Sequence, residues 1–312
     1  NKQGVNRIQY LIDNDLINKS IKSEFLVKSH ILNKDELKKL DISESSIIVE
    51  HERIPYISYP YEWSFQQLKV AAIHHLNFHI FLLNNGATLI DASAYNIQFI
   101  GYKPIFIDLL SIKKYEEGEF WYGHKQFCEN FLNPLILSSK KSIQFNNWFK
   151  GNFEGIQTND LDNLLSFFDK FSYSIFIHVY LLNKIEKKYK PQNKTVELNK
   201  KKTFPKKNLL SMLVQLKSYI NKLEPKKNNS IWENYSIKNS YDIKEESIKK
   251  NIIFDFVKKN KFSKIADLGC NDGIYSRTAL ESGCEYVVGF DYDFNSINRA
   301  YFLSAKEKSK FL

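Results

Sequence analysis

The feature that most constrains the fold is the stretch FSKIADLGCNDGIYSRTALESGCEYVVGFDYD, residues 262–293. Its pattern predicts a strand, a glycine-containing turn, a helix and a second strand. Because a strand–helix–strand crossover is right-handed and joins parallel strands, Asp267 and Asp291 are expected at the same, carboxyl edge of a sheet. That edge is where open α/β sheets bind ligands.

The glycines and the second aspartate of this stretch have the chemistry of a nucleotide site. Gly269 and Gly273 remove side chains where the backbone would approach a ligand, and the following helix would offer free amide groups at its start. Asp291 could accept hydrogen bonds from two ribose hydroxyls. A dinucleotide site requires the spacing G-x-G-x-x-G, but Asn271 stands at the second glycine, so the sequence disfavours NAD.

Asp267-Leu-Gly-Cys-Asn-Asp-Gly273, followed by Gly289-Phe-Asp291, resembles motif I and the next acidic motif of class I S-adenosylmethionine-dependent methyltransferases. The resemblance implies a Rossmann-like α/β domain in which Gly269, Asn271 and Gly273 line the methionine and ribose portions of the cofactor. Asp291 would hold the ribose hydroxyls and Asp267 would lie near the methionine end. The cofactor-binding set implied in full is Asp267, Gly269, Cys270, Asn271, Gly273 and Asp291.

The same resemblance carries expectations about the rest of that domain. Its acceptor pocket would be built from later strands and loops, so no catalytic residue is assigned and the chain would hold an incomplete active site. Leu312 is expected to lie in the second helix of the domain. Methyl transfer needs little acid or base from the protein, because the sulfonium carbon is already electrophilic and alignment supplies most of the help.

The length of 312 residues predicts two domains, with the second one incomplete. We expect a largely helical α+β domain with a small hairpin over residues 1–183, for which a kinase C-lobe is one candidate architecture. A lysine-rich linker and a helix follow over 184–230, and the start of the methyltransferase domain occupies 231–312. In the first domain, the apolar spacing predicts a buried helix from Ser64 to Gly86.

A second motif lies in LIDASAYNIQFIGYKPIFIDLLS, residues 89–111. Asp91, Asn96 five residues later and Asp108 after a short hairpin resemble the catalytic loop and the metal-binding aspartate of kinase-like phosphotransferases. The resemblance implies Asp91 at the acceptor hydroxyl, with Mg²⁺ and ATP held by Asn96 and Asp108. We expect the three side chains to converge.

Several departures make a structural remnant the favoured interpretation of this second motif. Leu89-Ile90 replaces the His-Arg before the loop aspartate, and Leu109-Leu110 replaces Phe-Gly. No glycine-rich loop or strand lysine is recognisable in the short segment that precedes the motif. An active phosphotransferase, or a pseudokinase that binds ATP, is the alternative function.

Much of the chain, from VEHERIPYISYPYEWSF through Trp232–Tyr235 to DLGCNDG, resembles a set of bacterial two-part class I methyltransferases. The first hypothesis is therefore a methyltransferase acting on a small-molecule or carrier-linked acceptor. The second is phosphotransfer by the motif of Asp91. The third treats the N-terminal part as a binding module that recruits a substrate or partner.

Charge and cysteine content limit the partners and the compartment. The net charge is +10, but the lysines crowd into residues 183–208, which is typical of a solvated linker and argues against nucleic-acid binding. Three widely spaced cysteines favour a reducing cytoplasm, and no apolar run is long enough to span a bilayer. No metal is predicted outside the phosphotransfer alternative: His75 and His79 are interpreted as packed histidines and Cys128 as a small core residue.

Overall fold

The computed structural model describes residues 2–41, 47–189, 203–226 and 243–312. Helices dominate these residues, and the strands pair two by two in small sheets, so the architecture is mostly helical α+β. Two compact units are formed. The first comprises Asn1–Arg53, Ala71–Ile97 and Ile105–Pro225, and the second comprises Ile54–Val70, Gln98–Pro104 and Lys226–Leu312.

The helices, in chain order, are α1 Lys2–Asp13, α2 Leu16–Lys22, α3 Lys34–Lys39, α4 Phe65–Asn84, α5 His124–Phe127, α6 Asn133–Lys141, α7 Asn146–Gly151, α8 Thr158–Leu164, α9 Tyr173–Ile175, α10 Leu182–Tyr189, α11 Lys206–Lys222, α12 Ile243–Asn260, α13 Ile274–Glu281 and α14 Phe294–Glu307. Two π-helical segments, Cys128–Leu132 and Phe176–Leu181, join α5 to α6 and α9 to α10. None of the described helices is long and apolar enough to cross a membrane.

Helix α4 matches the helix predicted from the apolar spacing. It begins after Ser64, whose hydroxyl accepts a hydrogen bond from the Gln67 amide at 3.2 Å while the Gln67 side chain accepts one from the Ser64 amide at 2.8 Å. It ends before Gly86, which has a φ of 80°. The predicted stripe of Leu68, Ala71, Ala72, His75, Leu76, His79 and Leu83 is fully buried.

The strands are β1 Ser29–Ile31, β2 Val49–His51, β3 Ala87–Leu89, β4 Ile97–Ile100, β5 Lys103–Phe106, β6 Ile112–Lys114, β7 Lys264–Leu268 and β8 Tyr286–Phe290. The predicted hairpin is formed by β4 and β5, with a φ of 59° at Gly101 in its turn. Strands β3 and β6, which flank the hairpin in the sequence, pair antiparallel from Ala87↔Lys114 to Leu89↔Ile112.

The N-terminal region differs from expectation in its helix content. The segment NKDELKKLD predicts a short helix, which is present as α3 with Asn33 and Glu36 forming a capping box. Helices α1 and α2 were not predicted, because their surfaces are largely polar. The segment SSIIVEHERIPYISYP, residues 45–60, predicts an extended run, and in its described part the structure has one strand, Val49–His51. Within the predicted linker and helix, α11 is present. Residues 190–202 and 227–242, which include the Trp232–Tyr235 stretch, lie outside the described residues.

In the second unit, β7 and β8 pair in parallel, from Lys264↔Tyr286 to Leu268↔Phe290. This confirms the strand–turn–helix–strand order and the parallel pairing predicted from the sequence. An apolar core packs against these strands, and three helices, α12, α13 and α14, contribute to it together with the chain end. Its buried members are Val257, Cys270, Ala279, Cys284, Val287, Ala300 and Phe311.

Candidate functional site

The loop between β7 and α13 is closed by its own hydrogen bonds. The amides of Gly269 and Cys270 both donate to the Phe290 carbonyl, at 2.7 and 3.0 Å, and the Gly273 amide donates to the Cys270 carbonyl at 2.8 Å. Asn271 adopts a φ of 50°, a left-handed conformation that asparagine tolerates better than most residues. Because these loop amides are used internally, an anionic ligand would meet the first turn of α13 instead.

Asp291 follows β8 directly and turns its carboxylate toward this loop. One carboxylate oxygen accepts a hydrogen bond from the Asn271 amide at 2.8 Å, and the other accepts one from the Asp293 amide at 2.8 Å. Each oxygen keeps a second lone pair that can accept a hydrogen bond from a ligand hydroxyl. The side chain is half-buried, so it is held by the fold and still reachable from solvent.

Asp267 and Cys270 lie at the same edge but serve local structure. Asp267 accepts a hydrogen bond from the Ser276 hydroxyl at 2.6 Å, which ties the end of β7 to helix α13. Cys270 is buried, and burial followed by the nearby Asp267 and Asp291 charges raises the pKa of its thiol to about 12. Cys270 is therefore a packing thiol and not a nucleophile.

The two loop glycines have different physical reasons to be glycine. A Cβ added at Gly269 would meet no atom within 4 Å, so only its φ of 77° requires glycine, and open space lies beside it. A Cβ added at Gly273 would lie 2.3 Å from the Phe311 ring. We expected both positions to admit a ligand; at Gly273 the space is taken by an aromatic side chain of the core.

The chain end lies in an extended segment and not in the helix expected there. Helix α14 ends at Glu307, and Phe311 then bridges Val287 of β8 in parallel. The Gly289 amide donates to the Leu312 carbonyl at 2.9 Å, and the Leu312 amide donates to the Val287 carbonyl at 3.1 Å. Helix α14 is shorter than expected because the chain reverses at Lys308, which has a φ of 54°. The final segment therefore lies beside β8, on the side away from β7.

Asp272 is a residue of this loop that the sequence interpretation passed over. It is buried, and its Oδ1 has no hydrogen-bond partner among the described residues, while Arg299 lies 3.9 Å from its Oδ2. Its main-chain carbonyl accepts a hydrogen bond from Arg277 at 2.7 Å. The sequence signal was the aspartate beside Gly273 in the motif itself.

In the first unit, Asn96 and Asp108 meet at one hydroxyl. The Asn96 amide donates to the Ser111 hydroxyl at 3.3 Å, and that hydroxyl donates to Asp108. The other Asp108 oxygen accepts a hydrogen bond from the Leu110 amide at 2.9 Å and so caps a short helical turn. The predicted convergence of these two side chains is thus achieved through Ser111, which the sequence interpretation did not single out.

Asp91 is brought to the same region by its backbone. The Ile90 amide donates to the Ser111 carbonyl at 2.9 Å, and the Asp91 carbonyl accepts from His75 at 3.4 Å. Its carboxylate accepts a hydrogen bond from the Ser93 amide at 2.8 Å, which fixes the following turn. Convergence of the Asp91 carboxylate with the other two side chains stays a prediction.

His75 and His79 are packed histidines, as expected. Both are fully buried, and His79 shares a 2.8 Å hydrogen bond with the Thr88 hydroxyl. Burial lowers the pKa of His75 to about 3 and that of His79 well below its ordinary value, so both rings are neutral.

A cluster that the sequence interpretation missed joins His124, Cys128 and His178. Their ligand-type atoms all lie within 4.8 Å of one another. The spacing of His124 and Cys128, four residues apart on one helix, was a visible signal, but Cys128 was interpreted as a core residue only. His178 lies 54 residues after His124, so only the fold brings it there.

Comparison with known proteins adds one relative. Nodulation protein NoeA of Rhizobium meliloti (strain 1021) is 42% identical over 268 residues, which are 85% of this chain and 56% of that protein. The chain thus spans a little over half the length of the curated relative it matches. No family model matches the chain, and no solved structure matches it.

Proposed function

We propose that the second unit belongs to a Rossmann-like domain that binds S-adenosylmethionine, and that the protein transfers the cofactor's methyl group to an acceptor. One observation carries the proposal: the Asp291 carboxylate is held against the Gly269–Gly273 loop, at the carboxyl edge of two parallel strands. The name of the 42% identical relative gives a biological process and no reaction, so the chemistry rests on this geometry.

The residues at this edge fit the cofactor. Asp291 has lone pairs left for two ribose hydroxyls, and the space beside Gly269 is open. Tyr292, which is 97% exposed, offers an aromatic face on which a purine base could stack. The bound cofactor supplies an electrophilic methyl group, while the chain's own task is to fix the orientation of the nucleoside and exclude water.

The methyl acceptor is proposed only by its chemical class. A small molecule or a carrier-linked molecule fits a protein in which the larger first unit recruits or shapes the substrate. A cytoplasmic location is proposed on the three described cysteines, which are all free and buried.

Calorimetric titration tests the proposal directly. The full-length protein that contains this chain is titrated with S-adenosylmethionine and with S-adenosylhomocysteine. We expect both to bind, and we expect Asp291→Asn to weaken both while Asp255→Asn, on the exposed side of α12, leaves them unchanged. A folded protein that binds neither nucleoside contradicts the proposal. Transfer of a labelled methyl group in cell extract then distinguishes a small acceptor from a carrier-linked one.

Kinase-like phosphotransfer is the second candidate, and one specific observation favours it. Strands β3 and β6, which precede and follow the β4–β5 hairpin in the sequence, pair with each other. The side chains of Asn96 and Asp108 both hydrogen-bond to the Ser111 hydroxyl. Because Asp108 already accepts from Leu110 and Ser111, we infer a structural remnant. Binding of ATP that requires Mg²⁺ and is lost in Asp108→Asn would favour an active site instead.

A further inference from the structure

The cluster of His124, Cys128 and His178 brings three metal-ligating atoms together inside the first unit. His124 Nε2 lies 2.9 Å from His178 Nδ1 and 3.7 Å from Cys128 Sγ. Cys128 and His178 are buried, and His124 is half-buried. The proposed methyl transfer and the phosphotransfer alternative use none of these residues.

Two of the three side chains of the cluster lie in π-helical segments. Cys128 opens the π-helical segment Cys128–Leu132, one turn after His124, and His178 lies within the π-helical segment Phe176–Leu181. A π-turn widens the helix and is less stable than an α-turn, and such turns occur frequently at functional sites. Both helices that carry the cluster depart from α-geometry where they meet it.

Gln215 sets the tautomer of His178, because it contacts the ring nitrogen that does not face His124. His178 Nε2 lies 3.2 Å from Gln215 Oε1, and the Gln215 amide nitrogen donates to the Ser174 hydroxyl at 2.6 Å. Because the amide nitrogen is the donor to Ser174, Gln215 Oε1 faces the ring as an acceptor and Nε2 carries the proton. Nδ1 therefore directs a lone pair into the cluster, as in metal sites where the outer nitrogen of a ligating histidine is bound by a polar partner.

Two carboxylates near Cys128, those of Glu129 and Glu186, would attract a cation to the cluster. Burial, followed by the nearby charges of Glu129 and Glu186, raises the pKa of Cys128 far above its ordinary value. Burial also lowers the pKa of His124 to about 3, so its ring is neutral. Glu129 and Glu186 are partly offset by Lys125, whose ammonium lies 3.8 and 3.0 Å from them. A divalent ion would deprotonate the thiol and gain from the same carboxylates.

Two of the three ligand-atom separations are close to those around a small ion, and the third, between Cys128 Sγ and His178, lies within 4.8 Å. Zinc bonds of about 2.0 Å to nitrogen and 2.3 Å to sulfur, in tetrahedral geometry, separate two nitrogens by about 3.3 Å and a nitrogen from a sulfur by about 3.6 Å. The Nε2–Sγ separation is 3.7 Å, and the two ring nitrogens, at 2.9 Å, would move apart by about 0.4 Å. Two imidazoles and one thiolate are a donor set that suits zinc.

We propose that His124, Cys128 and His178 bind one zinc-type divalent ion, with a fourth coordination position left to water or a ligand. On binding, the ion would take the place of the proton on His124 Nε2, which would move to Nδ1 of the same ring, and the Cys128 thiol proton would leave to solvent. It would connect the helix that runs from α5 into α6 with the helix that runs from α9 into α10, which are joined in sequence only through a long connection.

Metal content and a cobalt spectrum test the proposal on the full chain. Protein purified without chelator is analysed for zinc, then stripped and titrated with Co²⁺, which reports thiolate ligation as a charge-transfer band in the near ultraviolet. We expect one equivalent of metal and one such band. Cys128→Ser should abolish the band and His178→Gln should weaken Co²⁺ binding at least tenfold.

Matched controls separate the cluster from buried histidines and thiols in general. His79→Gln removes another buried histidine of the same unit, and Cys284→Ser removes another buried thiol. Both should keep one equivalent of metal and the band. Because a buried replacement can fail to fold, the spectrum of the wild-type protein decides by itself. Folded wild-type protein that is free of zinc and shows no thiolate band with Co²⁺ overturns the proposal, and the 2.9 Å contact is then a hydrogen bond between two histidines.

Discussion

At the scale of single residues, Asp291 is the group on which the proposed cofactor site depends most. Its carboxylate is oriented by the Asn271 and Asp293 amides before any ligand arrives, so little ordering is left for binding. Asp291→Ala should weaken S-adenosylmethionine binding by about 1–3 kcal/mol, the usual loss for a charge-assisted acceptor. Calorimetry measures it, and unchanged affinity would reject the ribose role.

The two loop glycines give a second prediction at this scale. Gly269→Ala meets only the cost of a left-handed φ, about 1–2 kcal/mol of unfolding free energy. Gly273→Ala meets that cost and also places a methyl group 2.3 Å from the Phe311 ring, so we expect a further loss of about 1–3 kcal/mol. Urea unfolding of the two variants compares them. Equal losses would show that Phe311 does not occupy this space in solution.

At the scale of elements, Asp169 ties the end of α6 to the turn that leads into α9. Burial alone would raise the pKa of Asp169, but hydrogen bonds from Lys141 and Ser166 outweigh it and lower the value to about 2. Lys141 Nζ lies 2.8 Å from the carboxylate, and the Ser166 amide and hydroxyl lie 2.9 and 2.7 Å from it. The ionised form therefore stabilises the folded state.

The sign of the resulting pH dependence follows from the lowered pKa. The stabilisation is complete above the ordinary carboxyl pKa of 3.8 and is lost as the pH falls toward 2. We expect Asp169→Asn to lower the free energy of unfolding by about 1–2 kcal/mol at pH 7, with the difference shrinking below pH 4. A double-mutant cycle with Lys141→Gln measures the pair. A difference that does not change with pH would contradict the assignment.

At the scale of the whole molecule, the sequence predicts those features of the fold that depend on residues close together in the chain. The parallel pairing of β7 and β8, and with it Asp291 beside Asn271, follows from crossover handedness over a short stretch of chain. The contact of Phe311 with Gly273 and the meeting of His178 with Cys128 depend on packing across long sequence separations. Neither leaves a periodic signal, so neither could be predicted.

The last prediction concerns metal removal from the intact protein. An ion that binds the folded state and not the unfolded chain stabilises it by about 2.7 kcal/mol at a hundredfold excess over Kd. For a unit of about 150–250 residues this raises Tm by about 5–10 °C. We expect a zinc chelator to lower Tm of the wild-type protein by that amount and excess zinc to restore it, whereas Cys128→Ser should respond to neither. A wild-type Tm that does not move with chelator or zinc would leave the cluster of His124, Cys128 and His178 as a hydrogen-bonded part of the core.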